Sequence, residues 1–501
     1  MGEEKKKEEK AISRRKYLGA VGGLAAAAAV GWGLAGYLAS KPKAPAVEKT
    51  VTITKTETAT PTAPATTPVT PRLVLRGETT SDPNFYLWDK DTPITPGGLL
   101  AEYERLTGVK VILERVDWMA HYEKSRLELQ SKSSTYDFFC YDTYVRGSYL
   151  PNDWFVDWKE LEAKTGLEMG FDDIIPKIVQ DGGTWEGKIL GIPSGCFVSP
   201  TFIYRKSLFE NPKYQDEFEK KYGHPLVPPR SWEEVNELAE FFTRDTNGDG
   251  KVDLYGLSLL MAPEAASDEF YFRWLTMGGG KGGRYQSFLI VDEKYEPLIN
   301  NDVGVKALEL ILEIYKNKWC APGGTEVSWV DVTSNFFAGD VAFGYMWSCA
   351  WAGVNDPSVS KAAGDVDFYA IPLSEGGVYA HASLNMAINK FGKQPEETYK
   401  FLRWMFAPEQ DKRMALLGNN PVRLSTYKDP EVAADPLNRT VYKIITSPSV
   451  PQCDLPEFGE MNYEFSLEIQ KAAEGKKSAE EALDDTARKW REILKKAGYY
   501  K

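Results

Sequence analysis

Hydrophobic and polar positions after residue 71 change period several times. Leu73, Val74 and Leu75 form an apolar run that Gly77 closes, which predicts a strand over Arg72 to Gly77. Leu99 to Thr107 reads as a helix stopped by Gly108. Val109 to Val116 is the next strand, His121 to Ser131 a helix, and Tyr136 to Tyr141 a buried strand. Strand alternating with helix predicts an α/β lobe with a mainly parallel sheet. Ligands of such sheets sit beyond the carboxyl ends of the strands. The loops Gly77 to Trp88 and Asp142 to Ser148 are therefore expected to face a cleft.

A second α/β region starts near Pro200. Thr201 to Tyr204 is a strand, and Ser231 with Glu234 forms a capping box that opens a helix running to Phe242. Val303 to Lys318 is a long helix, Ser334 to Gly339 a helix end, and Val341 to Met346 an apolar strand. Helices follow at Glu396 to Met405 and Glu409 to Leu417. Tyr463 to Lys496 reads as two amphipathic helices broken near Gly475. No internal repeat is present.

The first 71 residues follow different rules. Ser13-Arg14-Arg15-Lys16-Tyr17-Leu18 is similar to a twin-arginine export signal, with Tyr17 where Phe is usual. Tyr17 to Ala39 carries no charge and, as a helix, is long enough to span about 30 Å of hydrocarbon. The basic flank favours an inside amino terminus. No Cys follows the run, which excludes a lipoprotein anchor, and no clean A-x-A site stands out near Ala39, so a retained anchor is expected, with secretion after cleavage of the signal as the alternative. Lys41 to Pro71 is rich in Thr, Pro, Ala and Val, which cannot bury a core and reads as an extended stalk. The expected organisation is 1–40 signal or anchor, 41–71 stalk, 72–195 plus about 341–405 lobe one, about 196–340 plus 406–460 lobe two, and 461–501 C-terminal helices.

The net charge of -12 and a pI near 5.1 argue against nucleic acid, which needs basic stripes, and leave a neutral ligand open. Three histidines (His121, His224, His381) are few for His-based catalysis. Five cysteines without a CxxC pair indicate no zinc or redox motif, and their spacing leaves the disulfide question open. The 14 Trp and 26 Tyr are plentiful; many must be core, and their flat apolar faces with a polar tip also suit sugar rings.

Several segments, in order, resemble extracellular solute-binding protein family 1, which includes maltose-binding protein. They are Gly191-Ile192-Pro193, Tyr204-Arg205-Lys206, Pro229-Arg230-Ser231-Trp232-Glu233-Glu234, and Phe336 to Trp347 against the family's F-x-x-G-x-x-A-M-x-x-x-x-W. Ala370-Ile371-Pro372-Leu373, Ser383 to Lys390, Asn420-Pro421-Val422-Arg423 and Gly475 to Leu483 continue the match, which covers roughly residues 72 to 495. Arg205 stands where Asn is commoner. The resemblance implies a periplasmic-binding-protein type II fold: two α/β lobes, a ligand cleft between them, and hinge crossovers near Pro193 to Thr201, Ala338 to Phe343 and Ala370 to Asn389. It implies capture of a sugar or oligosaccharide for an ABC importer's permease, by a monomer on the outer face of the membrane and without catalysis. Trp347 matches the family's sugar-stacking Trp, and Tyr271 resembles another aromatic contact, with Trp274 beside it. Glu78 and Asp142 follow strands and are candidate hydroxyl acceptors. Trp88, Trp351 and Phe458 are further candidate platforms. The alternatives are a secreted carbohydrate-active enzyme, which would need two paired carboxylates, a binder of a non-sugar solute, and an adhesive surface protein.

One more motif stands apart. Asp245, Asn247, Asp249, Lys251 and Asp253, with Gly250 at the sharp turn, form the head of a calcium loop. Its position 12 is Gly256 and lacks the bidentate acid, so a structural Ca would need an acid from elsewhere, such as Glu264, Asp268 or Glu269. No cofactor is required. Gly278-x-Gly280-x-x-Gly283 follows a helix and lacks the context of a dinucleotide site.

Overall fold

The structure, a computed structural model, describes residues 72–500. The expected anchor and stalk lie outside the described residues. Among the described residues, no helix is long and apolar enough to cross a membrane.

Among the described residues, eleven strands form two main sheets and one hairpin. In chain order they are β1 Leu73–Thr80, β2 Val109–Val116, β3 Phe138–Asp142, β4 Thr184–Trp185, β5 Lys188–Ile189, β6 Ile192–Ser199, β7 Thr201–Arg205, β8 Phe343–Met346, β9 Val366–Tyr369, β10 Tyr379–Ile388 and β11 Ser449–Pro451. The first sheet has β1 between β2 and β3, both parallel to it. Strand β10 then joins β3 antiparallel, with Leu384 opposite Asp142. Its other edge carries β6, also antiparallel, and β11 adds beside its first residues. The sheet is thus mixed rather than mainly parallel, because β10 enters it from the second lobe against the direction of β3. The smaller second sheet, β8-β7-β9, is antiparallel throughout.

The chain joins the two sheets through β6 to β7, through β9 to β10, and from β11 into the Phe458–Ala473 helix, which packs on the Ala266–Thr276 helix through Phe465 and Phe270. Residues 338–343 are not a crossover. Val341 bridges Tyr255 and Phe343 pairs with Tyr204, all within the second lobe. The lobe boundaries differ from expectation for the same reason. Phe343–Met346 and Val366–Tyr369 belong to the second sheet, whereas Ser449–Pro451 pairs in the first. Arg423 likewise binds the carbonyls of Met169 and Gly170 in the first lobe. Which lobe a strand joins depends on pairing with residues seventy or more positions away, which local pattern does not encode.

Local signals explain most element ends. Leu99–Thr107 stops at Gly108, whose φ of 73° a residue with Cβ rarely adopts. The Ser231 side chain caps Glu234 N, but the Glu234 carboxylate turns to the Arg230 backbone and guanidinium, so only half the box forms. Gly77 lies inside β1 instead of ending it. A Cβ there would stand 2.1 Å from the Phe138 ring, so glycine permits the close packing of β3. All five cysteines are free.

Candidate functional site

Two carboxyls, Asp82 and Asp268, lie within electrostatic reach of a third, Asp142, near the ends of strands of both sheets. Asp82 follows β1 and caps the short Pro83–Tyr86 helix, accepting from Asn84 N at 2.8 Å. Asp142 closes β3 and accepts from Tyr144 N at 2.8 Å. Asp268 lies in the first turn of the Ala266–Thr276 helix and accepts from Trp347 Nε1 at 3.1 Å. Trp347 itself follows β8. The carboxyl ends of β1, β3 and β8 therefore supply one cluster, as the strand polarity requires.

The electrostatics bind these groups together. Burial pushes the Asp142 carboxyl up to about 7; the Tyr144 N–H and the Tyr122 phenol oppose this, while the charges of Asp82 and Asp268 add to it. Burial likewise raises Asp82 to about 6 against the Asn84 amides. Asp268 rises to about 6, again through burial, although the Trp347 and Trp329 indoles draw it down. Each carboxyl has lost water faster than it has gained donors.

Aromatic rings line the same region. Tyr122 stacks on Tyr144 with centroids 6.1 Å apart, and Tyr144 lies 5.5 Å from Phe458. Phe458 stacks on Tyr271 at 6.5 Å, and the Tyr271 hydroxyl donates to Asn462. Trp347 is 8% exposed and sits against Phe272. The arrangement offers anionic acceptors beside flat apolar faces, which suits a ligand rich in O–H or N–H donors on a compact body.

The expected site residues divide. Trp347, Asp142, Tyr271 and Phe458 come together at the cluster. Trp88 packs edge-on to Phe85, Phe401 and Phe406 in the core of the first lobe. Trp274 stacks on Phe270, fully buried. Trp351 lies under Phe336 and donates to the Thr201 carbonyl. Glu78 is fully buried beneath the Trp118–Gln130 helix, 3.3 Å from His121 Nδ1. Its carboxylate is thus committed to His121 in the interior of the first lobe. Asp82, Tyr122, Tyr144 and Trp329 were not singled out from sequence. The pattern that marks Asp142, an Asp just after a strand and before a turn, also marks Asp82.

The Asp245 loop is knitted by hydrogen bonds from its own backbone to its side-chain oxygens. Asp245 accepts from Asn247 N, Gly248 N and Gly250 N, and these bonds keep its carboxyl below the ordinary range. Asn247 and Asp249 accept from Asp249 N and Lys251 N, and Asp253 from Thr246. Among the described residues no group of three or more His, Cys, Asp or Glu is arranged to hold a metal ion.

Two α/β lobes, strands crossing between them and a polar-aromatic cluster at the strand ends define a solute-binding protein of the type II periplasmic-binding architecture. The comparisons agree. The chain belongs to the bacterial extracellular solute-binding protein family, whose sequence model matches residues 98–440. Membership implies work outside the cytoplasm. A probable amino-acid ABC transporter periplasmic-binding protein of Sinorhizobium fredii is 21% identical over 409 residues, covering 80% of this chain and 86% of its own. Among solved structures, an ABC transporter solute-binding protein of Agrobacterium radiobacter in complex with ribitol has TM-score 0.68 and 22% identity, covering 85% of this chain and 99% of its own. A maltose-bound binding protein of T. maritima has TM-score 0.66 and 18% identity, covering 84% and 100%.

Proposed function

We propose that this protein is the extracellular capture component of an ABC importer. It holds a sugar or polyol in the cleft between its lobes and delivers it to the permease unchanged. One observation carries the reading: Asp82, Asp142 and Asp268 converge beside the rings of Trp347 and Tyr144. Carboxylates take strong charge-assisted hydrogen bonds from hydroxyls, and aromatic faces cover the C–H side of a sugar. The ribitol and maltose complexes of the structural relatives support that ligand class. The amino-acid designation of the Sinorhizobium relative supports a rival solute. An amino acid's carboxylate would need a cation, and among the described residues no Lys, Arg or His forms an ion pair with the three aspartates.

In the same reading, residues 17–39 anchor a monomeric clamp to the membrane and 41–71 form its stalk. Membrane fractionation with and without residues 1–40 tests that part. The ligand reading is tested by incubating the protein with a panel of oligosaccharides, polyols and amino acids. A sugar or polyol should raise the melting temperature, since ligand at a hundred times Kd adds about 2.7 kcal/mol, and should be recovered at its original mass. Cleaved sugars would make the protein an enzyme. Stabilisation by amino acids alone would replace the ligand class.

A further inference from the structure

We propose that Tyr285 and Gln286 of the second lobe form a latch on Asp181 of the first, and that this latch holds part of the ligand-free protein closed. The latch governs the motion of the lobes, so it does not depend on which solute the cleft takes.

The receiving half is assembled wholly within the first lobe. Asp181 lies in the turn Val179–Gly183, which the Tyr141 hydroxyl of β3 pins by donating to Gly182 O at 3.0 Å. His381 on β10 holds the Asp181 carboxylate at 2.9 Å through Nε2. Its other nitrogen, Nδ1, is 3.0 Å from Ser449 Oγ on β11, and Lys177 Nζ is 2.9 Å from the same hydroxyl. An ammonium group only donates. Ser449 therefore accepts from Lys177 and donates to Nδ1, which leaves the imidazole proton on Nε2, aimed at Asp181. All four side chains belong to one lobe, so this relay survives movement of the other.

The moving half comes from the second lobe. Tyr285–Ser287 is a single turn between the Ala266–Thr276 and Asp302–Asn317 helices, tied to the first of them by Phe288 against Tyr271 at 5.1 Å. The Tyr285 hydroxyl donates to Asp181 Oδ2 at 2.9 Å, and Gln286 Nε2 donates to Oδ1 at 3.3 Å. Gln286 Oε1 in turn accepts from Arg146 of the first lobe at 3.3 Å. Asp181 is 3% exposed and draws two of its three side-chain donors from the opposite lobe. Burial acts to raise this carboxyl, but His381, Tyr285 and Gln286 together overcome it and hold the group below its ordinary range.

Position turns these bonds into a latch. The neighbouring Arg284 pairs with both oxygens of Asp454, on the crossover between β11 and the Phe458–Ala473 helix, and Asp454 N donates to Gln286 O at 2.8 Å. Hinge opening turns one lobe about its crossovers. Tyr285 and Gln286 lie on no crossover, so opening must stretch their bonds to Asp181. Hydrogen bonds to a carboxylate are of the stronger, charge-assisted kind, so the closed state gains from them before any ligand arrives. A larger closed population tightens binding in proportion.

The test measures the ligand-free full chain in detergent. Tyr285 is 41% exposed, so Tyr285→Phe removes the hydroxyl with little threat to folding. Lys90 of the first lobe lies within electrostatic reach of Asp356 of the second, so spin labels carried by unnatural amino acids at Lys90 and the exposed Val359 straddle the gap between lobes. Pulsed dipolar spectroscopy then resolves closed from open molecules. The closed-to-open ratio should fall about threefold in Tyr285→Phe and about tenfold in Tyr285→Phe/Gln286→Ala, the range of charge-assisted hydrogen bonds exchanged for water. If the double variant fails to fold, Tyr285→Phe alone decides. A ratio unchanged by the substitutions, or a parent protein with no closed population, overturns the latch. Neither result touches the ligand class, which the solute panel tests separately.

Discussion

Lowering the pH from 7 to 5 should stabilise the ligand-free protein while weakening its grip on ligand. Asp142 makes the effect calculable. Its carboxyl stands near 7 in the folded chain against an ordinary 3.8, chiefly because burial strips its water. A folded pKa raised above the unfolded value gives stability that is complete below 3.8 and lost as pH rises through 7. At about 1.4 kcal/mol per unit, the Asp142 share of the change between pH 7 and pH 5 is about 2 kcal/mol. For a chain of this length that is a melting shift of roughly two degrees. Ligand donors favour the ionised carboxylate, so affinity should fall by up to about 50-fold over the same interval, the ratio of ionised fractions. Calorimetric melts and ligand titrations at constant ionic strength measure both. Asp142→Asn should remove its part of the stability change and flatten the affinity profile. A pH response identical in Asp142→Asn and the parent protein would show that Asp142 does not carry the effect.

Two other perturbations follow from charge pairs away from the cleft. Arg273 and Glu269 lie 2.5 Å apart in the second-lobe core with Tyr345 donating to the same carboxylate, so Arg273→Met should leave a buried anion and cost about 3–5 kcal/mol in urea unfolding. The double variant Glu269→Gln/Arg273→Met should recover part of that loss. Burial acts to raise the Glu468 carboxyl, but bonds from Lys471, Lys477 and Lys489 overcome it and hold the group at about 2. Its contribution is therefore present above pH 4.5 and lost as pH falls through about 2, and Glu468→Gln should cost about 2 kcal/mol near neutrality but almost nothing at pH 2.

Elements with chemical punctuation were legible in the sequence. Gly108 ends its helix in the left-handed conformation, Ser231 caps the next lobe's helix, and Gly475 at φ 74° breaks the C-terminal pair, as the local pattern predicts. Gly77 was misread because its role is steric, and the Phe138 ring that demands it comes from a strand sixty residues on. The fold class followed from strand and helix alternation together with the family resemblance. The direction of β10 did not, since it depends on a return crossing from the other lobe. The site was half legible. Asp142 and Asp82 share a strand-then-turn grammar that sequence can reveal. Trp88, Trp274 and Trp351 resemble Trp347 in sequence terms, yet they are more deeply buried than it is, and only tertiary packing makes that difference.

Truncation of Trp347 distinguishes binding at this cluster from binding elsewhere. The ring ends β8, packs on Phe272 and donates to Asp268. Trp347→Ala removes both the proposed ligand face and the donor to the Asp268 carboxyl. Titrating the sugar or polyol that stabilises the parent protein into Trp347→Ala, with folding checked by its melting transition, should show at least a tenfold loss of affinity, about 1.4 kcal/mol. Full affinity in a folded Trp347→Ala protein would contradict the account and move the binding site away from this cleft.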